Sequence, residues 1–388
     1  MDAKIEQVKQ DFSAARRVVY LNTGTVAMMP DPVFERLTGL LRWYNEYGPA
    51  LPEARERRGD ELARAREVLA AFLGAEANEV VFTPDTTAGI NAIVSSLPLQ
   101  DGDEIIVSDI EHPAGRVPWA YAAERKGLVV RTIPARDGVV ELEDIQRVVT
   151  DRSRVISISH VSFTTGGRSD LASIGQYARD EDMYLLVDGA QSAGALDLDM
   201  RSLNCDAFAF PGYKWCLGPE GSAGLYISSR IHDLLAPPAI SLGAARERDM
   251  DGGYQLKTGA DLFGPSTQGL MEVLGLGYAL SYLDELGMGW VQDRIELLTD
   301  ILVRALDDMD EVTLVTPREF HRRAGLVAFR IRGMDTMEQM RELTGQFYDS
   351  GVHLRVVPRP EAFRASLHIF NDENDIDHLL ELIGQYCR

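Results

Sequence analysis

The 388-residue chain has only three cysteines, Cys205, Cys216 and Cys387, with no CxxC pair and no clustering with histidine. That scarcity excludes a disulfide framework and a structural zinc site, indicates no bound metal, and fits a reducing cytoplasm. Long apolar runs are also missing. No stretch reaches the ~18 residues of a membrane span, and Met1 to Arg17 lacks the apolar centre of a signal peptide. Positive charge is in short supply: 39 Lys and Arg against 60 Asp and Glu give a formal net charge of -21. Such a balance opposes nucleic acid and anionic membranes and favours a small-molecule partner, while also serving as a solubilising surface.

What is present is a rhythm. From about Asn78 to Ser228, short β-branched runs alternate with longer periodic segments, as parallel strands joined by crossover helices do. Strands are predicted at Glu79–Phe82, Glu104–Ser108, Leu128–Ile133, Val155–Ser159, Tyr184–Val187, Ala207–Phe210 and Ala223–Ile227. Helices are predicted at Thr86–Ser96, Ala114–Arg125, Glu141–Val149 and Leu171–Asp182. The chain is longer than one core of ~250–300 residues supports. We therefore expect an α/β protein: an N-terminal segment (1–25), a large domain (26–255) with a mainly parallel, doubly wound seven-stranded sheet, and a smaller α/β C-terminal domain (256–388) entered by a linker helix. The amphipathic segment Ser266–Met309 reads as that helix, with strands following near Val312–Val315 and Leu326–Ile331.

Ligands of open parallel sheets sit beyond the carboxyl ends of the strands, so residues just after each apolar run carry the interest. Thr86 and Thr87 open a helix after the strand ending at Phe82, either as a phosphate cradle or as part of an ordinary cap. Asp188 follows "YLLV" and is costly to bury there unless it meets a cation; the alternative is a solvated turn. His112 in "EHPAG" either stacks on a flat ligand or simply packs. Lys214 in "FPGYKWCLGP" lies between Tyr213 and Trp215, whose burial of the amine would favour Schiff-base chemistry over a snorkelling surface role. A phosphorylated aromatic aldehyde needs this whole set.

The wording "YLNTGTVAMMP", "TPDTTAGINAI", "EHPAGRVPW", "SHVSFTTG", "VDGAQSAG", "GYKWCLGPEG" and "FRASLHIFNDENDID" resembles pyridoxal-phosphate enzymes of fold type I, in the class V aminotransferase superfamily of cysteine desulfurases and isopenicillin N epimerase-like proteins. The resemblance runs from about Tyr20 to Asp377 in the family's order. It implies pyridoxal 5'-phosphate bound to Lys214 as a Schiff base, with Asp188 on the ring nitrogen, Gln191 near the ring hydroxyl and His112 stacked on the ring. It implies phosphate contacts from Thr86 and Thr87, and substrate contacts from Arg364, Asn22 and Phe163, with Arg364 on the α-carboxylate. A planar guanidinium suits that task. Arg355 is a second candidate, or else forms a structural salt bridge.

The chain departs from the family in four places. "LRVVPRPEAFRAS" lacks the nucleophilic cysteine of the desulfurases; Tyr213 replaces a histidine that helps hold phosphate; Phe163 stands where an asparagine is common; and "KTGAD" leaves only Thr258 for the contact to the neighbouring subunit's phosphate. The resemblance implies a homodimeric, cytoplasmic enzyme acting on an amino acid or its conjugate through a Schiff base and a Cα carbanion. Superfamily analogy, with the missing cysteine, favours β-elimination by a carbon–sulfur lyase on a cysteine conjugate. The alternatives are an epimerase-like enzyme performing epimerisation, transamination or decarboxylation-linked deamination, and a catalytically silent binding protein.

Overall fold

A computed structural model describes residues 3–387. Helix α1 (Ala3–Gln10) and strand β1 (Val19–Tyr20) lead into helices α2 (Asp31–Tyr47) and α3 (Pro52–Phe72). Strands and helices then alternate through β2 (Val80–Thr83), α4 (Thr86–Ser96), β3 (Glu104–Ser108), α5 (Pro113–Lys126), β4 (Val129–Ile133), α6 (Leu142–Gln146), β5 (Ser153–Ser159), α7 (Leu171–Asp180), β6 (Tyr184–Asp188), α8 (Met200–Leu203), β7 (Ala207–Pro211) and β8 (Ala223–Ile227). The strands form the expected seven-stranded sheet in the order β2-β8-β7-β6-β5-β3-β4, with β8 antiparallel to both neighbours.

The side-chain period of two explains why these runs are apolar throughout: both faces are covered. Ile105 and Val107 of β3 pack with Ile90 of α4 and Trp119 of α5, while Ile106 joins the opposite core with Leu69 of α3 and Ile174 of α7. Local chemistry sets the helix starts. Asp85 accepts the Ala88 amide at 2.7 Å, Asp170 accepts that of Ser173 at 3.2 Å, and Pro113 occupies the first turn of α5. The α6 helix is shorter than the sequence pattern suggests, ending at Gln146 before the turn that leads into β5.

Sheet order positions the site. From β3 the chain crosses to β4 at the edge, then returns to place β5 on the other side of β3. The carboxyl ends of β3 and β5 therefore diverge at a topological switch point, where a crevice opens.

A hairpin, β9 (Ala245–Arg248) and β10 (Tyr254–Leu256), precedes two helices, α9 (Leu270–Leu286) and α10 (Met288–Asp307). The single long helix read from Ser266–Met309 is thus corrected to two. Gly287, at φ +81°, breaks it in a conformation other residues avoid. Helix α9 is buried on most sides because it packs into the core that holds α2 and α3.

The remaining elements are β11 (Val312–Leu314), β12 (Leu326–Ile331), α11 (Met337–Asp349), β13 (Val352–His353), β14 (Arg355–Pro358), β15 (Glu361–Ser366) and α12 (Glu373–Tyr386). An antiparallel sheet, β11-β12-β15-β14, shares a second core with α10, α11 and α12 through Leu298, Phe329, Leu343, Phe363 and Ile376. Strand β1 pairs in parallel with β13, and an Asn22–Ser366 bridge continues that contact, so residues 22–25 are laid beside β15. Among the described residues, no helix is long and apolar enough to cross a membrane.

Candidate active site

Asp188 is the last residue of β6 and is buried. Its Oδ1 accepts the Ala190 amide at 2.9 Å, leaving Oδ2 for a ligand. Lys214 follows β7 and lines the same crevice. Its Nζ has no hydrogen-bond or ion-pair partner among the described residues. Burial lowers its basicity to about 8; Asp188 opposes that shift, and Arg364 and Arg355 add to it. Burial raises the Asp188 carboxyl, against the Ala190 hydrogen bond and Lys214. Such a lysine reaches its neutral, nucleophilic form more readily than an exposed one.

His112 caps α5 and takes the Ala114 amide on Nδ1 at 3.1 Å, which leaves the ring proton on Nε2. Burial, reinforced by Lys214, Arg355 and Arg364, depresses the imidazole to about 4, so it is neutral at physiological pH. Phe163 meets it edge-on, with ring centroids 4.8 Å apart at 83°. Together with Asp85, Thr86, Thr87, Ser159, Gln191 and Tyr213, these groups line one small crevice at the strand ends. Thr86 and Thr87 start α4, where amides precede the first helical bond and the dipole favours an anion. The Asp85 carboxylate beside them is occupied by the Ala88 amide. Gln191 is committed, donating to the Gly24 carbonyl at 3.0 Å and accepting the Trp215 indole N–H at 2.9 Å.

Arg364 lies one layer away, on β15, fully buried. Nη1 donates to the Phe163 carbonyl at 2.8 Å; Nη2 donates to the Thr25 hydroxyl at 2.9 Å and reaches Asn22 Oδ1 at 3.5 Å. Its Nε has no partner. Arg355 sits opposite it across the β14–β15 pair and also donates to Thr25, at 3.1 Å. Burial and this second cation bring Arg364 down to about 9. A guanidinium with an unsatisfied N–H beside another cation is suited to an anionic group. Arg364 and Asn22 reach the crevice through Phe163 and residues 24–25 rather than lining it. Thr258 does not line it either; it precedes a short helical turn, Gly259–Phe263.

The sequence passed over Glu111. Its carboxyl is buried beside Asp188 and accepts the hydroxyls of Ser108 and Ser159, at the ends of β3 and β5, at 2.5 Å each. The available signal was its place three residues beyond β3, next to His112. The thiols lie elsewhere: Cys205 and Cys216 are fully buried with thiol pKa values raised by burial, and Cys387 ends α12.

At the strand ends of this doubly wound sheet, a lysine with no partner among the described residues faces an aspartate, beneath a sheet that carries a buried arginine, and this is the layout of an enzyme site. The chain belongs to the aminotransferase class-V family, whose sequence model matches residues 19–379. It is 30% identical to a probable cysteine desulfurase of Methanothermobacter thermautotrophicus, the alignment covering 98% of each chain. It is 28% identical to a cysteine desulfurase of Salmonella agona, over 98% of this chain and 97% of that protein. Among solved structures, the cystine C–S lyase C-DES in complex with its reaction product cysteine persulfide superposes with a TM-score of 0.89 at 27% identity, over 96% of this chain and 99% of the other. The apo cysteine desulfurase of Thermococcus onnurineus NA1 superposes at 0.89 with 25% identity, over 98% and 97%.

Proposed function

We propose that the protein is a pyridoxal-phosphate-dependent carbon–sulfur lyase that cleaves the Cβ–S bond of a cysteine conjugate. The residues fit the cofactor: a lysine without an ion pair and an aspartate with one oxygen unclaimed among the described residues, and a helix start bearing two hydroxyls. Bound pyridoxal phosphate would supply a Schiff-base linkage and an electron sink for negative charge at the substrate Cα.

Lys214 would hold the cofactor and then, displaced by the substrate amine, take the α-proton on its Nζ. Asp188 would pair with the ring nitrogen, neutral His112 would cover the ring face, and Gln191 would approach the ring hydroxyl with its remaining N–H. Thr86, Thr87 and Tyr213 would hold the phosphate, and Thr258 would serve a partner subunit's site in a homodimer. Arg364 would grip the α-carboxylate with Asn22 and Phe163 shaping its surroundings, which fixes the bond at Cα that breaks.

The state of the thiols carries the choice of reaction. Cys205 and Cys216, which flank β7 in the chain, are buried and held as thiols, and the β14–β15 hairpin joins Pro358 to Glu361 with no cysteine. A protein-bound persulfide therefore has no acceptor at the site. Sulfur would leave directly on its own fragment, as suits a relative of a cystine C–S lyase. Reduced cysteines are consistent with the cytoplasm.

Incubation with cystine or a cysteine thioether tests the reading. The expected products are pyruvate, ammonia and a thiol or persulfide; a D-epimer alone, or a keto acid with its sulfur intact, would refute the lyase. Borohydride should fix the cofactor to Lys214.

A further inference from the structure

Glu111 is a buried acid that the reaction above does not use. A methyl group built on Gly115, in the first turn of α5, would lie 3.9 Å from Glu111 Oε2 and 3.9 Å from Asp188 Oδ2, so the two carboxyls flank one point. Neither forms an ion pair among the described residues, and each is 7% exposed. From β3 and β5, Glu111 meets the Ser108 hydroxyl and both the hydroxyl and the backbone of Ser159; from β6 it meets Asp188; its chain neighbour His112 is neutral, and Lys214 acts on Asp188.

Two adjacent carboxyls in a low-dielectric pocket do not both ionise readily. Their surroundings separate them. Each has a backbone donor, but Asp188 also has a nearby amine that favours its anion, whereas Glu111 has two hydroxyls, which favour its anion less firmly because they can rotate to serve the protonated acid as well. Burial pushes Glu111 up to about 7 against the pull of its two serines, with Asp188 adding to the rise.

We propose that Glu111 is a positioning residue that acts through Asp188: it holds a proton in the unloaded protein and releases it to solvent when a cationic ring docks on Asp188. The ring-nitrogen end of the site would thus change its charge by one without any rearrangement of the sheet. The trigger rests on the pyridoxal-phosphate reading; the titration of Glu111 in the unloaded protein does not.

The sign follows from linkage. A carboxyl held higher in the folded chain than its unfolded value of about 4.3 makes the fold less stable as pH rises between the two values. Thermal unfolding of cofactor-free wild type and Glu111→Gln, whose amide can keep both serine contacts, should show the variant gaining on wild type as pH climbs from about 5 to 8. Calorimetry with pyridoxal phosphate in two buffers of different ionisation heat should then show about half a proton less released by the variant at pH 7. Parallel unfolding curves with equal proton release would overturn the proposal and leave Glu111 a hydrogen-bonded strut. Failure of the cofactor reading would look different: no binding heat with either protein, while the unfolding curves still report on Glu111. Should the glutamine variant not fold, Ser159→Ala removes one bond that favours the carboxylate and should extend the pH-dependent loss of stability to higher pH. An unmoved transition would count against the proposal.

Discussion

The two ends of the large sheet bury charge in opposite ways. At the amino end, Glu104 opens β3 and takes Arg131 Nε at 2.6 Å and Nη2 at 2.5 Å, with the Thr150 hydroxyl at 2.8 Å. Asp206, just before β7, takes Arg230 Nε and Nη2 at 2.6 Å each and the Leu185 amide at 2.8 Å. At the carboxyl end, Asp188, Glu111 and Lys214 are buried or nearly so, yet none has an ion pair among the described residues. Paired charges hold the strands in register, whereas unpaired ones keep a desolvation penalty that only a ligand relieves. The fold tolerates that penalty where the chain makes room for chemistry.

Removing Lys214 breaks the comparison most severely. Lys214→Ala should lower kcat/KM by about 10³-fold or more, since a positioned proton-transfer group alone contributes about 10²- to 10⁴-fold. Its apoprotein should melt no lower than wild type, because a buried amine without a partner is lost; a large fall in Tm would show that the lysine is structural. Arg230→Ala should do the reverse. It strands the buried Asp206 with little beyond an amide donor, so stability should fall by about 3 kcal/mol while turnover per folded molecule is retained. Denaturant titration alongside active-site counting checks both halves.

How much of this division was legible varies with how local its causes are. The runs Glu104–Ser108 and Ala223–Ile227 and the helix Thr86–Ser96 have the bounds read from the sequence, because continuous burial and a capping aspartate are written in consecutive residues. The α9–α10 break was missed because glycine within an apolar pattern carries no unique signal, and only the chain path makes Gly287 left-handed. In the site, Lys214, Asp188, His112, Thr86 and Thr87 stand out by following apolar runs, and they do line one crevice. Glu111 did not stand out, since its meaning depends on Ser159, 48 residues away, and on which strand lies beside β3. Arg364's bond to Thr25 likewise requires residues 22–25 to lie beside β15, and its bond to Phe163 requires β15 to pack against the loop after β5, neither of which any local pattern announces.

Arg364 is the intermediate case: a buried charge that is partly wired and partly open. Arg364→Ala should raise KM about tenfold to a hundredfold, matching the ~1.5–3 kcal/mol of a hydrogen bond to a charged group, with a smaller change in kcat. Loss confined to Tm with KM unchanged would move Arg364 to the structural side of the comparison.

The smallest effect expected is at the amino end, in its response to acid. Hydrogen bonding to Arg131 holds Glu104 below the usual carboxylate range, helped by Thr150 and Ser153 and opposed by burial. Because the folded value is depressed, the stabilisation is fully present above the unfolded value of about 4.3 and is lost as pH falls through the folded one. Arg131 is well exposed, so salt screens the pair and its contribution should be a fraction of that of Arg230. Glu104→Gln should therefore be less stable than wild type at pH 7, by an amount that shrinks in high salt and narrows on acidification. Glu111→Gln should show the opposite trend, gaining on wild type as pH rises. Two buried glutamates on one sheet, displaced in opposite directions, would separate the structural end from the functional end in a single pair of titrations; trends of the same sign would erase the distinction.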